Sequence, residues 1–272
     1  MADMTTQDLN GVAETLLITL FIRGMESRRP DALIRDAKAE QLVNDLADSF
    51  DRFRKLKIDE SDKTTIILRN REFDRLAREF ISRHPDAVVV HIGCGLDSRF
   101  ERVDNGSVEW FDLDVPEVID LRKKLLGGEK GRYHLLPFSA FDGQWLETVA
   151  AHGSRPLLFL AEGVFMYFPE GQVRSLVLKL LELFPGSELA FDGFSPLVVW
   201  ANNRNIARTK LGARYHWACN KGKELESWGD IHLLGEWRIF DHFEPRLAKL
   251  RRLRFIPLVA KAIGIYRYRL GS

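Results

Sequence analysis

Cysteine is scarce: 272 residues contain only Cys94 and Cys219. They are far apart and form no C-x-x-C, which argues against a disulfide framework and against a zinc site. Neither sign of charge is in excess. Lys and Arg number 40 against 39 Asp and Glu, a net charge of +1, which excludes a uniformly basic nucleic-acid binder and an acidic disordered chain. Long apolar runs are missing too. The longest, residues 16–22 (with one Thr) and 156–161, fall far short of the ~20 residues a membrane span requires. The first residues lack the positive patch of a secretory signal. A cytoplasmic protein with no nucleic-acid partner and no stable membrane insertion is expected. Repeats and low-complexity tracts are also absent, and 45% hydrophobic with 29% charged residues is ordinary for a globular chain.

What is present has two halves. Helical spacing of apolar residues fills the first third, over residues 15–26, 31–53 and 66–83, with Ile67, Phe73, Leu76, Ala77, Phe80 and Ile81 on one side of the third segment. The pattern changes at residues 87–92, AVVVHI, a continuous β-branched run suited to a strand buried on both faces of a parallel sheet. Further strands are expected at 109–113, 133–138, 157–161 and 188–194, alternating with helices at 116–126, 142–151 and 170–184. This rhythm predicts a parallel sheet covered by helices on both faces. It fails for about forty residues after Phe194, an irregular insertion over 195–230, before two last strands at 231–240 and 263–270. From Asp241 onward eight Lys and Arg face two acids. That tail is read as a solvated or edge-packing surface, with an anionic substrate or a lipid surface as the alternatives. Its Leu250, Leu253, Ile256, Leu258, Val259 and Ile263 suggest packing on the sheet.

Three features carry chemistry. Gly93-Cys94-Gly95 follows the first buried strand directly, where glycine permits a sharp turn and the approach of a ligand. Ser98 stands where a dinucleotide fingerprint needs a third glycine, so the loop alone is as compatible with a plain tight turn. Asp112 and Asp114 end the second strand about 20 residues on. There a carboxylate can accept both ribose hydroxyls, and Asp114, just before Pro116, is the better placed. Both can equally be capping or solvated acids. Glu162 interrupts the apolar stretch LLFLAEGVFMYF at 157–168. A buried acid needs a partner, met either by a positively charged ligand or by an arginine or backbone amides. Phe165, Met166 and Tyr167 are more often core than cofactor cage, although ring faces can stabilise a cation.

These segments together resemble the leucine carboxyl methyltransferase superfamily, and within it the bacterial tetracenomycin-type polyketide O-methyltransferases. The matching stretches are ETLLITLFIRGMESRRPDALIRDAKAEQLV, LRNREFD, VVVHIGCGLDSRF, WFDLDVPEVIDLRKKLL, FSAFDGQWLE, the run from LLFLAEGVFMYF to ELAFD, and less tightly GEWRIFDHF. They cover about residues 11–195 and scattered later positions. The resemblance implies an α/β class I methyltransferase with a Rossmann-like, mostly parallel seven-stranded sheet, one antiparallel strand near an edge, and S-adenosylmethionine as cofactor. One domain over 1–272 is expected, with a helical cap at 1–84, a cofactor-binding core at 85–194 and an acceptor-side insertion with the last strands at 195–272.

By motif, the resemblance gives Arg69 the methionyl carboxylate. Gly93, Cys94 and Gly95 would line the methionine side, Asp114 would hold the ribose, and Glu162 would lie near the amino group. The first helix would close over the pocket, and Arg23 on it could reach the cofactor. One position departs from the family: an Asp for the adenine amino group is replaced by Ala140 in Ser139-Ala140-Phe141-Asp142. Phe141 is left to flank the adenine, with Ser139 or Asp142 near the amino group. The implied reaction is in-line methyl transfer to a carboxylate or hydroxyl of a small molecule, polyketide-like or other. No catalytic residue and no metal ligand is pinned. A carboxylate needs no base, a phenol would benefit from one, and His216 and His232 read as structural or surface groups. Asn202, Asn203, Arg204 and Tyr215 fall where the acceptor should lie. A protein C-terminal carboxylate as acceptor, a cofactor-binding protein without turnover, and a nicotinamide-dependent dehydrogenase, disfavoured at Ser98, are the competing readings. The oligomeric state is not indicated.

Overall fold

The computed structural model describes residues 11–46, 58–209, 213–241, 244–248, 255 and 260–272. Strands β1 (Val88–Ile92), β2 (Glu109–Asp114), β3 (Tyr133–Pro137), β4 (Leu157–Ala161), β5 (Ser187–Phe194), β6 (Ile231–Arg238) and β7 (Ile263–Leu270) form one sheet in the order β3-β2-β1-β4-β5-β7-β6. The first five are parallel, and β7 runs antiparallel to both β5 and β6. Strand order reverses between β1 and β4, and the carboxyl-end crevice at such a point is where open α/β sheets bind ligands.

All five residues of β1 are buried, because both sides of the sheet are covered. Val88, Val90 and Ile92 join one core with Phe111, Phe159 and Phe191. Val89 joins the other with Phe73, Leu76, Phe80 and Trp110. That double burial is why the strand reads as an unbroken apolar run rather than an alternating one.

Helices α1 (Gly11–Ser27), α2 (Ala37–Asp45) and α3 (Glu60–Arg83) precede the sheet. α4 (Arg99–Val103), α5 (Pro116–Leu126), α6 (Gln144–Ala150), α7 (Glu170–Leu183) and α8 (Pro196–Thr209) connect or follow its strands. The apolar stripe of α3 packs on the sheet. Leu17, Leu20 and Phe21 of α1 pack with Ala39, Leu42 and Val43 of α2 and with Leu96, which lays α1 over the loop after β1.

The structure corrects the sequence reading in two places. The helix expected over 31–53 starts only at Ala37, because the Asp36 side chain accepts the Ala39 N–H at 2.9 Å and caps it; residues 47–57 lie outside the described part. The stretch after Phe194 contains α8, hidden by its β-favouring Val198-Val199-Trp200 and by Asn202-Asn203. Of the basic tail, Arg246 pairs with Glu26 and Arg267 with Glu79 and Glu188. Lys249, Arg251, Arg252 and Arg254, like Leu250, Leu253, Ile256, Leu258 and Val259, lie outside the described residues. Among the described residues no helix is long and apolar enough to cross a membrane.

Candidate functional site

The loop leaving β1 turns on two left-handed glycines, Gly93 at φ +64° and Gly95 at φ +50°. A Cβ on Gly93 would sit 2.4 Å from Val164 Cγ2, and one on Gly95 2.6 Å from Leu16 Cδ2. Conformation therefore demands glycine at both positions, and space does so at Gly93. Cys94 between them is buried, and burial pushes its thiol well above the ordinary range, so it is a packing group rather than a nucleophile.

Asp114 at the tip of β2 accepts the Gly95 N–H on Oδ2 and the Val115 N–H on Oδ1, both at 2.8 Å. Burial pushes its carboxyl up, and these two amides only partly offset it. Each oxygen keeps a lone pair for a further donor. Asp112 is different. Buried by the sheet yet held below the ordinary carboxylate range by Arg122, it also accepts Tyr133 Oη at 2.7 Å and Trp110 Nε1 at 2.8 Å. Arg122 continues to the Gly95 carbonyl at 3.0 Å. Asp112 thus serves as an internal brace of the glycine loop.

Glu162 lies just past β4 and is met by the protein itself. Its Oε1 takes Arg69 Nε at 3.1 Å and Asn70 Nδ2 at 2.9 Å, and its Oε2 takes Arg99 Nη2. Burial alone would raise this carboxyl, but the guanidinium groups of Arg99 and Arg69 overcome it and hold the group below its usual value. The arginine alternative raised by the sequence is therefore realised. Arg69 also lies 3.2 Å from Asp192 Oδ2 on β5, whose Oδ1 accepts the Gly163 N–H at 2.7 Å.

A buried charge lattice that sequence reasoning missed extends behind Glu162. Arg99 reaches Asp74 at 2.8 Å and Asp97 at 2.9 Å. Arg102 reaches Asp74, Asp97 and Asp36. Arg23 pairs with Asp36 at 3.0 Å and donates to the Leu96 carbonyl at 2.6 Å. Arg23 thus fastens α1 to the glycine loop. The one available signal was the dense run of charges inside otherwise apolar motifs.

On the β3 side, Asp142 accepts the Ser139 N–H at 3.0 Å and the Ala140 carbonyl takes Trp145 Nε1 at 3.1 Å. The Phe141 ring remains exposed, edge-on to Phe168 at 4.7 Å. Of the residues placed on the acceptor side, Asn203 clamps the Tyr215 backbone, Asn202 Nδ2 is buried without a partner among the described residues, and Arg204 stacks on Trp200. His216 and His232 are exposed. Among the described residues no His, Cys, Asp and Glu cluster fits a metal ion. A separate groove of about 780 Å³ between α3 and β6–β7 has its acids Glu72, Glu79 and Glu236 paired to Arg75, Arg267 and Arg238 and lies away from the strand tips described here.

The candidate residues therefore follow the strands: Ala140 and Phe141 after β3, Asp114 on β2, Gly93–Gly95 after β1, and Glu162 after β4 with Arg69 of α3 against it. The leucine carboxyl methyltransferase family model matches residues 16–180. The chain is 34% identical to the tetracenomycin polyketide synthesis O-methyltransferase TcmP of Streptomyces glaucescens, over 96% of this chain and 97% of that protein. It is 30% identical to the S-adenosyl-L-methionine-dependent methyltransferase dpfgK of Gibberella zeae, over 80% and 79%. The crystal structure of a candidate methyltransferase from Thermobifida fusca covers 94% of both chains with a TM-score of 0.57 at 14% identity, a likeness of fold. With its sheet, its glycine loop and these relatives in agreement, the chain belongs to the leucine carboxyl methyltransferase family.

Proposed function

We propose that this family member is an S-adenosylmethionine-dependent O-methyltransferase acting on a carboxylate or hydroxyl oxygen of a small molecule. The observation that carries the reading is the row of groups along the strand tips, in the order a nucleoside sulfonium would need them.

The residues fit that donor. Asp114 retains lone pairs on both oxygens for ribose hydroxyls, and the exposed Phe141 ring offers an adenine platform. Two glycines leave no Cβ at the turn, and the Arg69 guanidinium offers a fork to a carboxylate. Glu162 already balances two arginines, so its attraction for an ammonium is shared with Asp192, whose carboxyl burial pushes up despite Arg69. The bound sulfonium supplies an activated methyl and a neutral leaving thioether. The chain's part is to hold donor and acceptor in line and to exclude water, with α1 lying over the glycine loop.

A small acceptor is favoured over a protein tail by the segment around Tyr215. It is fastened down rather than splayed open: the His216 N–H reaches the Met166 carbonyl at 2.7 Å, and Trp217 is buried against Phe191. Titration calorimetry with S-adenosylmethionine, and competition by S-adenosylhomocysteine, test the donor; absence of heat and of competition would remove the reading. Labelled-methyl transfer into extractable metabolites rather than into protein tests the acceptor. Donor binding without transfer to any acceptor would leave a non-catalytic binding protein.

A further inference from the structure

If the donor runs from β3 to β4, the next strand outward, β5, faces the reacting end. Over its tip sit Phe194, Asp192 and two tyrosines from separate elements. Tyr167 ends the tight turn after β4, its N–H bonded to the Val164 carbonyl at 3.1 Å. Tyr215 comes from the segment after α8. Their rings meet edge to face at 5.4 Å, and Tyr215 packs on Phe194 at 5.5 Å. The Arg69 guanidinium, already tied to Glu162, lies 6.0 Å from the same Phe194 ring. The Tyr pair thus stands beside the groups assigned to the methionine end.

The chain takes trouble to hold Tyr215 there. Asn203 of α8 donates to the Tyr215 carbonyl and accepts its N–H, both at 2.8 Å, and the next residue is anchored to Met166. The backbone is fastened on both sides. The edge-to-face contact brings the two phenol rings side by side. Burial pushes both phenols up, so at neutral pH the pair offers protons to a ligand oxygen and withdraws none. Such catalytic-site contacts tighten only when the ligand is in place.

We infer that Tyr167 and Tyr215 form a hydroxyl relay that orients the methyl-accepting oxygen. Tyr167 touches that oxygen, and Tyr215, held by Asn203, is a positioning residue acting through Tyr167. The inference rests on the methyl-donor reading of the crevice. The relay selects an acceptor that arrives as an oxyanion carried on a flat apolar body, since Phe194 and the two phenol rings flank it.

The test uses the full chain loaded with S-adenosylhomocysteine and titrated with 1-naphthoate, followed by naphthoate fluorescence. Tyr215→Phe keeps the ring and removes one hydrogen bond, so naphthoate should bind about tenfold more weakly while S-adenosylhomocysteine affinity stays unchanged. Tyr167→Phe should lose at least as much. Because Tyr215 acts through Tyr167, adding Tyr215→Phe to Tyr167→Phe should cost nothing further, a non-additivity that two separate packing losses would not give. Wild-type affinity for naphthoate in Tyr215→Phe, full additivity in the double variant, weakened S-adenosylhomocysteine binding in Tyr215→Phe, or a loaded wild-type chain that ignores naphthoate would each overturn the relay. A wild-type chain that fails to bind S-adenosylhomocysteine overturns the donor reading beneath it.

Discussion

Asp114 at the tip of β2 accepts the backbone N–H of Gly95 at 2.8 Å, joining the end of one strand to the loop leaving its neighbour. The pair is also strand-registered, since Ile92 lies opposite Leu113. Behind it, Arg122 links the Gly95 carbonyl to Asp112. The loop is therefore gripped from both backbone atoms of one residue, and the acid proposed to hold the ribose also helps to shape the turn.

That dual role makes Asp114→Ala a severe change for donor binding. It removes two charge-assisted acceptors and one support of the loop. We expect S-adenosylhomocysteine affinity to fall about 100-fold, the loss of two such bonds, when measured by calorimetry. Asp114→Asn, which keeps one oxygen acceptor, should fall in between. Affinity as in wild type for both would remove Asp114 from the site.

Gly93 and Gly95 should respond differently to alanine. Gly93→Ala forces a Cβ against the branched Val164 at φ +64°, and the strain should cost about 1–3 kcal/mol. Gly95→Ala meets only the end of the Leu16 side chain at φ +50°, which can turn aside, so the smaller loss is expected there. Differential scanning calorimetry of the two variants gives the order; a Gly93→Ala protein as stable as wild type would contradict the geometry.

How much of this was legible depended on sequence distance. The glycine turn and Asp114 could be read because each stands at the end of a locally recognisable strand, and β1 because four of its five side chains are branched and apolar. Glu162 was legible as an acid needing a partner. Its partners were not, because Asn70 and Arg99 lie 92 and 63 residues away, and no local period relates them. α8 stayed hidden because Val, Trp and Asn have weak helical preference, and packing rather than propensity decides it. The adenine side departs from the family pattern at Ala140, and Phe141, expected to flank the adenine, has an exposed ring.

The buried arginines should carry far more stability than their surface counterparts. Arg99 is fully buried and touches Asp74, Asp97 and Glu162. Arg99→Leu takes one guanidinium away from each of three buried acids, leaving Arg102 to Asp74 and Asp97 and Arg69 to Glu162, and a cost of about 3–5 kcal/mol is expected. Arg99→Lys should recover only part, since an ammonium cannot replace a planar fork. Arg132→Ala, which breaks the partly exposed pair with Asp104, should cost no more than about 1 kcal/mol. Urea unfolding of the three variants checks the contrast, and equal losses for Arg99→Leu and Arg132→Ala would refute it.

Acid should weaken donor binding before it unfolds the chain. Asp97 and Glu162 are buried, yet Arg102, Arg99 and Arg69 hold both below their usual values. A depressed carboxyl contributes stability that is complete above its unfolded value, about 3.9 to 4.3, and that is lost as pH falls through the folded one. The melting temperature should therefore hold down to about pH 4 and fall below it. Asp114 is shifted the other way, raised by burial, so it takes up its proton at higher pH. Protonation removes the charge from both ribose-facing oxygens, and S-adenosylhomocysteine affinity should decline on acidification while the melting temperature is still unchanged. In Asp114→Asn that early decline should vanish, because nothing at this position titrates. Calorimetry and thermal melts at matched pH separate the two transitions, and an affinity that tracks the melting temperature in the wild-type chain would show that Asp114 is not the group responsible.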